Sequence, residues 1–300
     1  MESVLECLPR GSRVAVLRLR SLGDCVLTTP ALDILKRCRS DLHIAILVEN
    51  RFREIFEGNP DLDEILPPDL ARLRRFRPQL CLNLHGGTRS AWMTELSGAR
   101  YRAGFRHFRQ QFVYNVGIPR AQEILGVERK VHTAEHLASA MFFLGAPVVE
   151  IPRARLVSVR FPAPPESATA VIHPLASNPD KTWPASSFLA VAAHLKETGV
   201  EPVFIGGPRD DLAPFAAYRT IQGAPLTEIK TLLAGASLFV GNDSGPAHMA
   251  AAFGLPVVVV FSSSDAEIWG PWRTAGEVVK APASVAQVID ALHRVKAAVA

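Results

Sequence analysis

Residues 237–261 read SLFVGNDSGPAHMAAAFGLPVVVVF, and this stretch decides the fold. An apolar run ends in Gly241-Asn242-Asp243-Ser244-Gly245-Pro246, small helix-forming residues follow, and 257–261 is again apolar throughout. A strand that is apolar at every position is buried on both faces, which is the habit of parallel sheets covered by helices. The polar loop therefore falls at the carboxyl edge of such a sheet, ahead of a helix. The first N–H groups of that helix lack intrahelical partners, and the positive end of its dipole favours an anion. The stretch thus predicts a strand, a tight polar loop, a short helix and a second strand, with a phosphate-bearing ligand at the loop.

The same alternation extends outward. Upstream in the second half, 170–173 reads as a strand and 187–197 as a helix stopped by Gly199. Residues 202–205 form a strand running into Gly206-Gly207-Pro208, and the Asp210-Asp211 pair beyond reads as a helix start. Thr227 is expected to cap a helix ending at Gly235, and apolar residues at helical spacing predict a last helix over 284–299. In the first half, strands are expected over 14–19, 42–48, 63–66, 79–84 and 101–105, with helices over 24–38, 52–57, 88–96 and 133–144.

Between the halves, 146–165 carries prolines at 147, 152, 162, 164 and 165 and reads as a connector. The expectation is an α/β protein with an N-terminal domain over 1–150, a second over 151–282 and a terminal helix over 283–300. Ligands of open α/β sheets bind at the carboxyl ends of the strands, so both halves are expected to face a common cleft. No internal repeat and no low-complexity segment is legible.

Composition narrows the class. The chain has 300 residues, 48% hydrophobic and 21% charged, with a net charge of +4, which allows an anionic ligand or membrane surface without indicating nucleic acid. Cys7, Cys25, Cys38 and Cys81 are scattered with no metal spacing, so reduced thiols are expected, Cys25 being a small buried one rather than a nucleophile. The N-terminus lacks a signal-peptide pattern, and no apolar run approaches the roughly 20 residues of a membrane span. A soluble, cytoplasmic protein is expected.

Three constellations carry candidate chemistry. Arg18-Leu19-Arg20-Ser21-Leu22-Gly23-Asp24 follows a strand and opens a helix, placing Gly23 and Asp24 at the strand's carboxyl end. Asp24, the only carboxylate of that turn, suits a general base, and equally suits an acid complementing the helix dipole. No GxGxxG occurs, so this is no dinucleotide fingerprint. The loop 173–184 carries Lys181 between turn formers and Trp183; it is either a phosphate ligand or a solvated lysine. In the opening loop Asn242, Asp243, Ser244 and Gly245 offer polar groups and N–H donors, Asp243 or Ser244 also being a plain N-cap. His248 lies on the helix beyond, where a lone histidine is commonly structural. Two arginine runs, 72–77 and 100–109, the second interleaved with Tyr101, Phe105, Phe108 and Phe112, read as solvated faces or as a basic lip for an anionic acceptor or inner leaflet.

LRLRSLGDCVLTTPAL (17–32), LNLHGGTRSAWMTELSGARYRAGF (82–105), VHTAEHLASAMFFLGAP (131–147), HPLASNPDKTWPASSF (173–188) and GNDSGPAHMAAAFGLPVVVVF (241–261) together resemble the family 9 glycosyltransferases, the ADP-heptose:lipopolysaccharide heptosyltransferases. The resemblance implies a GT-B architecture, two Rossmann-like domains facing across a cleft, with the donor on the C-terminal one and the acceptor on the other. It implies Asp24 as catalytic base, Lys181, Asn242, Asp243, Ser244, Gly245 and His248 around the donor, and Arg20, Gly23 and Arg89 on the acceptor side. With the resemblance, the reading is inverting transfer of heptose from ADP-heptose to a lipopolysaccharide core acceptor, with no cofactor apart from the ADP-sugar substrate. The lack of a DxD-like acidic pair, with Lys181 and the helix dipole to take the charge, points to metal independence, the basic lip to peripheral contact with the inner membrane, and the mild charge to no nucleic-acid partner. The turn Phe261-Ser262-Ser263-Ser264-Asp265 departs from the family, which carries a glycine there, and leaves the donor sugar open. The alternatives are the same fold with another nucleotide sugar, a sugar-nucleotide epimerase, and a noncatalytic nucleotide-binding protein.

Overall fold

The computed structural model describes residues 3–158, 168–176 and 182–298. The chain divides into two compact units, Met1–Ala154 and Arg155–Ala300. In the first, α1 (Val4–Cys7) precedes β1 (Arg13–Leu17), α2 (Leu22–Cys38), β2 (His43–Leu47), α3 (Arg53–Phe56), β3 (Glu64–Leu66), α4 (Leu70–Phe76) and β4 (Leu80–Asn83). Then follow α5 (Thr88–Glu95), β5 (Tyr101–Phe105), β6 (Val116–Ile118), α6 (Ala121–Leu125) and α7 (Thr133–Leu144). The second unit holds β7 (Ala168–His173), α8 (Ala185–Glu197), β8 (Val200–Gly206), β9 (Arg219–Gln222), α9 (Leu226–Ala234) and β10 (Leu238–Asn242). It ends with α10 (Gly245–Ala252), β11 (Val257–Phe261), α11 (Ala266–Trp269), β12 (Gly276–Lys280) and α12 (Val285–Ala297).

Each unit is built on a six-stranded sheet, β3-β2-β1-β4-β5-β6 in the first and β12-β11-β10-β7-β8-β9 in the second. Every pairing is parallel. Traced from its third strand, the second sheet has the order of the first. The sequence shows no repeat, yet the topology repeats. Both sheets reverse direction beside their first strand, between β1 and β4 and between β7 and β10, the switch point where open α/β sheets take ligands.

The inner strands explain the apolar runs. Residues 14–17 of β1 and all of β4, β10 and β11 are buried, since helices cover both faces. Leu73 and Phe76 of α4 and Met93 of α5 pack on Ala15, Leu17 and Leu47 of one face of the first sheet. In the second unit Phe188 of α8 and Val288, Leu292 and Val295 of α12 join Ile172, Val240 and Val258, so the terminal helix is part of that unit's core.

Several elements depart from the sequence reading. The first arginine run lies on α4, and β6, β9, β12, α6 and α11 carry no apolar run long enough to announce them. Asp210-Asp211 starts no α-helix: the Gly207 N–H donates to Asp210 Oδ2 at 2.7 Å and that of Ala213 to Asp211 Oδ1 at 2.9 Å, so both acids close turns. The helix expected to be capped by Thr227 starts two residues earlier, with Pro225 at the N-cap and Thr227 inside the first turn. Among the described residues no helix is long and apolar enough to cross a membrane.

Two histidines tie folding to pH. His136 of α7 stacks on Phe105 with ring centroids 4.0 Å apart, and burial, with His107 and Arg18 nearby, pushes its pKa down to about 4. Burial does the same to His173, to about 4, against Asp210. A folded-state pKa below the unfolded value means the unfolded chain binds more protons between about pH 4 and 6.5, so stability is complete above pH 6.5 and falls below it. Denaturant unfolding at pH 7 and pH 5 is expected to differ by on the order of 2 kcal/mol per histidine. His136→Phe, which keeps the stacked ring, is expected to remove one share of that slope; an unchanged slope would contradict the assignment.

Candidate active site

In the first unit the chain leaves β1 through Arg18–Ser21 and enters α2, while β4 ends at Asn83 and turns through His85 into α5. Asn83 is fully buried, and its carboxamide organises this edge. Its Oδ1 accepts from the N–H groups of His85 at 2.9 Å and Gly86 at 3.1 Å. Its Nδ2 donates to Ser90 Oγ at 3.1 Å and Tyr114 Oη at 2.9 Å. Gly86 is required in that turn: its φ is +76°, and a Cβ would lie 2.5 Å from the Phe108 ring.

Asp24 sits in the first turn of α2. Its Oδ2 accepts from Ser21 N–H at 3.3 Å and Ser21 Oγ at 3.0 Å, and its Oδ1 lies 3.5 Å from Arg18 Nη1. The side chain keeps 22% exposure, so one edge of the carboxylate is open to a ligand. Arg18 is buried, and among the described residues its Nε has no hydrogen-bond partner. Burial pushes the Arg18 guanidinium below its usual pKa, while Asp24 holds it up. His85 is pushed down from its ordinary pKa by burial and by Arg18 and Arg20, and its Nδ1 is buried without a partner. The edge thus gathers a half-buried carboxylate, a buried guanidinium and a neutral imidazole. Such a set can accept a proton from a bound hydroxyl. Cys25, next to Asp24, is wholly buried and its thiol is pushed up to about 12, which makes it inert.

The remaining sequence candidates of this unit are placed as follows. Gly23 is buried in the first turn of α2, and Arg20 is exposed in the turn before it. Arg89, at the start of α5, donates from Nη2 to the Pro68 carbonyl at 2.6 Å, so its guanidinium is held by the loop ahead of α4.

The second unit repeats the device with different groups. Asn242, the last residue of β10, is fully buried; its Nδ2 donates to the Pro174 carbonyl at 2.8 Å and its Oδ1 accepts from Trp183 N–H at 2.9 Å. Both ends of the loop after β7 are thereby fastened to β10. Lys181 lies outside the described residues. Trp183 packs against Phe188 and donates from Nε1 to the Ala283 carbonyl at 2.9 Å.

Ser244 is the N-cap residue of α10, but its side chain caps nothing: Oγ shares a 2.9 Å hydrogen bond with His173 Nδ1. Pro246 has no N–H, and that of Ala247 bonds the Ser244 carbonyl at 3.1 Å, which leaves the Gly245 N–H at the helix start. The Asp243 N–H is used by the Val260 carbonyl at 3.2 Å, and His248 is buried within α10. The arrangement suits an anion held by one N–H, a hydroxyl and the helix dipole. Among the described residues no group of three or more His, Cys, Asp or Glu could hold a metal ion.

The structure therefore brings Asp24 together with Arg18 and His85, and Ser244 with His173, partners to which the sequence assigned no role. For His173, and for the asparagines that hold both edges, one signal was available: Asn83 and Asn242 are the polar last residues of otherwise apolar strands, and His173 ends a strand whose 170–172 are apolar; no such signal marks Arg18 or His85.

The model of glycosyltransferase family 9 (heptosyltransferase) matches residues 71–295. Lipopolysaccharide heptosyltransferase 3 of Escherichia coli is 27% identical over 293 residues, covering 85% of this chain and 84% of that protein. A family 9 glycosyltransferase from Veillonella parvula superposes with a TM-score of 0.83 at 20% identity, over 95% of this chain and 97% of that one. The E. coli heptosyltransferase WaaC with ADP gives 0.76 at 19% identity, over 95% and 99% respectively.

Asn242→Ala removes both loop fastenings and strands the Pro174 carbonyl and the Trp183 N–H. A loss of about 2–4 kcal/mol in urea unfolding is expected. A loss below about 0.5 kcal/mol would show that water replaces both bonds.

Proposed function

We infer that this chain, which belongs to glycosyltransferase family 9, transfers heptose with inversion from ADP-heptose to the core of a lipopolysaccharide in the cytoplasm. Asp24 carries the reading: it is the one carboxylate in residues 18–24, the turn after β1, partly exposed, and bonded or paired to Ser21 and Arg18. The acceptor hydroxyl attacks the anomeric carbon, its proton passes to Asp24, and the bond from that carbon to the diphosphate oxygen breaks, releasing ADP. A positioned base contributes about 10²–10⁴-fold.

In the second unit the Gly245 N–H, Ser244 and Lys181 take the charge of the leaving diphosphate, the electrostatic term that dominates such transfers, and no metal is needed. Asp243 and His248 line the donor, while Asn242 acts by holding the loop. Arg20, Gly23 and Arg89 lie toward the acceptor. What supports the donor is the kinship with heptosyltransferases, one of them solved with ADP.

A second reading keeps the reaction and changes the sugar. The turn after β11 lacks the family's glycine, and Asp265 there caps α11, accepting from Glu267 N–H at 3.0 Å. The turn follows the strand beside β10, so it borders the start of α10.

Three measurements test this. Turnover with a panel of ADP-, UDP- and GDP-sugars is expected to favour ADP-heptose; preference for another donor selects the second reading, and no sugar release from any donor rejects transfer. Asp24→Asn is expected to lower turnover at least about tenfold with ADP affinity unchanged, and unaltered turnover removes it from the mechanism. Lys181→Ala is expected to weaken ADP binding by calorimetry; equal affinity would exclude that contact.

A further inference from the structure

The first unit holds a cavity that the transfer reaction does not use. Its volume is about 460 Å³, and it is lined by Arg13, Glu64, Leu66, Arg72, Arg75 and Phe76. The lengths of the elements explain why it exists: β3 has three residues and α4 seven, so the helix cannot roof the whole sheet face beside this edge. Side chains alternate along a strand, so Arg13 shares the face of Ala15 and Leu17, on which Leu73 and Phe76 of α4 pack. An arginine at the amino end of β1 is thereby set below the last turn of an arginine-bearing helix.

The charges in this cavity are unbalanced. Arg13 is held in place, since its Nη1 donates to the Phe76 carbonyl at 3.0 Å and its backbone N–H to Gln79 Oε1 at 2.6 Å. Arg72 and Arg75, three residues apart on α4, share one face of the helix. Among the described residues none of these three guanidiniums is in an ion pair. Glu64, the one acid of the lining, is already engaged by His43 Nε2 at 2.9 Å, and Asp63 beside it by Lys36 Nζ at 3.0 Å. Three cations thus face one recess with no free carboxylate to answer them, and a bound anion relieves their mutual repulsion.

We propose that this cavity binds a small solute carrying a diphosphate or two phosphate groups. The charge count selects a multiply charged ligand, and planar guanidinium forks match phosphate oxygens. The volume lies within the roughly 300–1,000 Å³ of small-molecule sites, and Leu66 and Phe76 give the recess an apolar wall for the rest of such a solute. The site stands apart from the edge that carries Asp24: Arg13 opens β1, and Asp24 lies beyond the far end of that strand, roughly 13 Å on at the rise of a strand. Every lining residue belongs to the first unit.

The test is calorimetry with pyrophosphate on the full chain and on Lys181→Ala, which lacks the lysine assigned to the leaving diphosphate. Binding is expected to persist in that variant and to be tighter than that of inorganic phosphate. In the same background Arg72→Gln with Arg75→Gln is expected to weaken it about tenfold or more, with thermal unfolding unchanged because both side chains are exposed. Glu64→Gln, which removes the one negative charge of the lining, is expected to tighten it about two- to threefold. Binding abolished by Lys181→Ala, or indifferent to the arginine pair, would overturn the proposal, as would weaker binding in Glu64→Gln. An arginine pair that raised the KM of the transfer acceptor and left pyrophosphate affinity unchanged would also overturn it, and would give these arginines to the acceptor.

Discussion

Two carboxamides at equivalent places, Asn83 at the end of β4 and Asn242 at the end of β10, hold the edges on which each unit's chemistry stands. The constraint behind them is general. A parallel sheet covered on both faces admits apolar side chains along its inner strands, so polar chemistry is confined to where the strands stop. There the chain must turn, and turning exposes backbone donors and acceptors that need partners. A buried asparagine has both a donor and an acceptor end and can serve two strands of chain at once. Asn83 takes the His85 and Gly86 N–H groups while donating to Ser90 and Tyr114; Asn242 spans the loop from Pro174 to Trp183. Aspartate in either place would lose the donor end and bring a charge into a buried site.

The inner strands and long helices were legible because burial writes itself into composition: unbroken apolar runs for β1, β2, β4, β10 and β11, and apolar spacing with a glycine stop for α8. Three of the four edge strands were not, β3 being the exception. β6, β9 and β12 pair on one side only, so they keep polar residues such as Arg219, Thr220 and Glu277, and no run appears. Helix α4 hid for a related reason, since it buries only Leu73 and Phe76 and shows the solvent a row of arginines.

The candidate site was legible in its residue types and not in its pairings. That Asp24 opens a helix follows from the pattern; that Arg18, six residues earlier, lies beneath it does not, because the pairing depends on how the turn between them folds back. A buried guanidinium is costly, and the nearby carboxylate answers only part of that cost. Burial first, and the charge of the same cation in addition, lower the pKa of its neighbours His85 and His136, so both rings are held neutral. The positive charge at this edge is therefore concentrated on arginine, leaving the imidazoles uncharged at neutral pH.

The two units use one topology to opposite electrostatic ends. At the start of α2 the helix dipole is answered by the chain's own acid, Asp24, so that terminus has little pull left for a phosphate and instead presents a carboxylate to whatever approaches. At the start of α10 the N-cap side chain that would ordinarily close the helix is withdrawn: the Ser244 hydroxyl is turned toward His173, and the Gly245 N–H is left at the terminus. His173 can hold that hydroxyl as a neutral partner because burial keeps its ring unprotonated, and the buried end of β7 keeps it in reach. One edge therefore offers negative charge suited to drawing a proton, and the other offers donors suited to an anion. A displacement that deprotonates one substrate and expels a diphosphate from the other needs both, and a repeated sheet order supplies two edges on which they can be built separately.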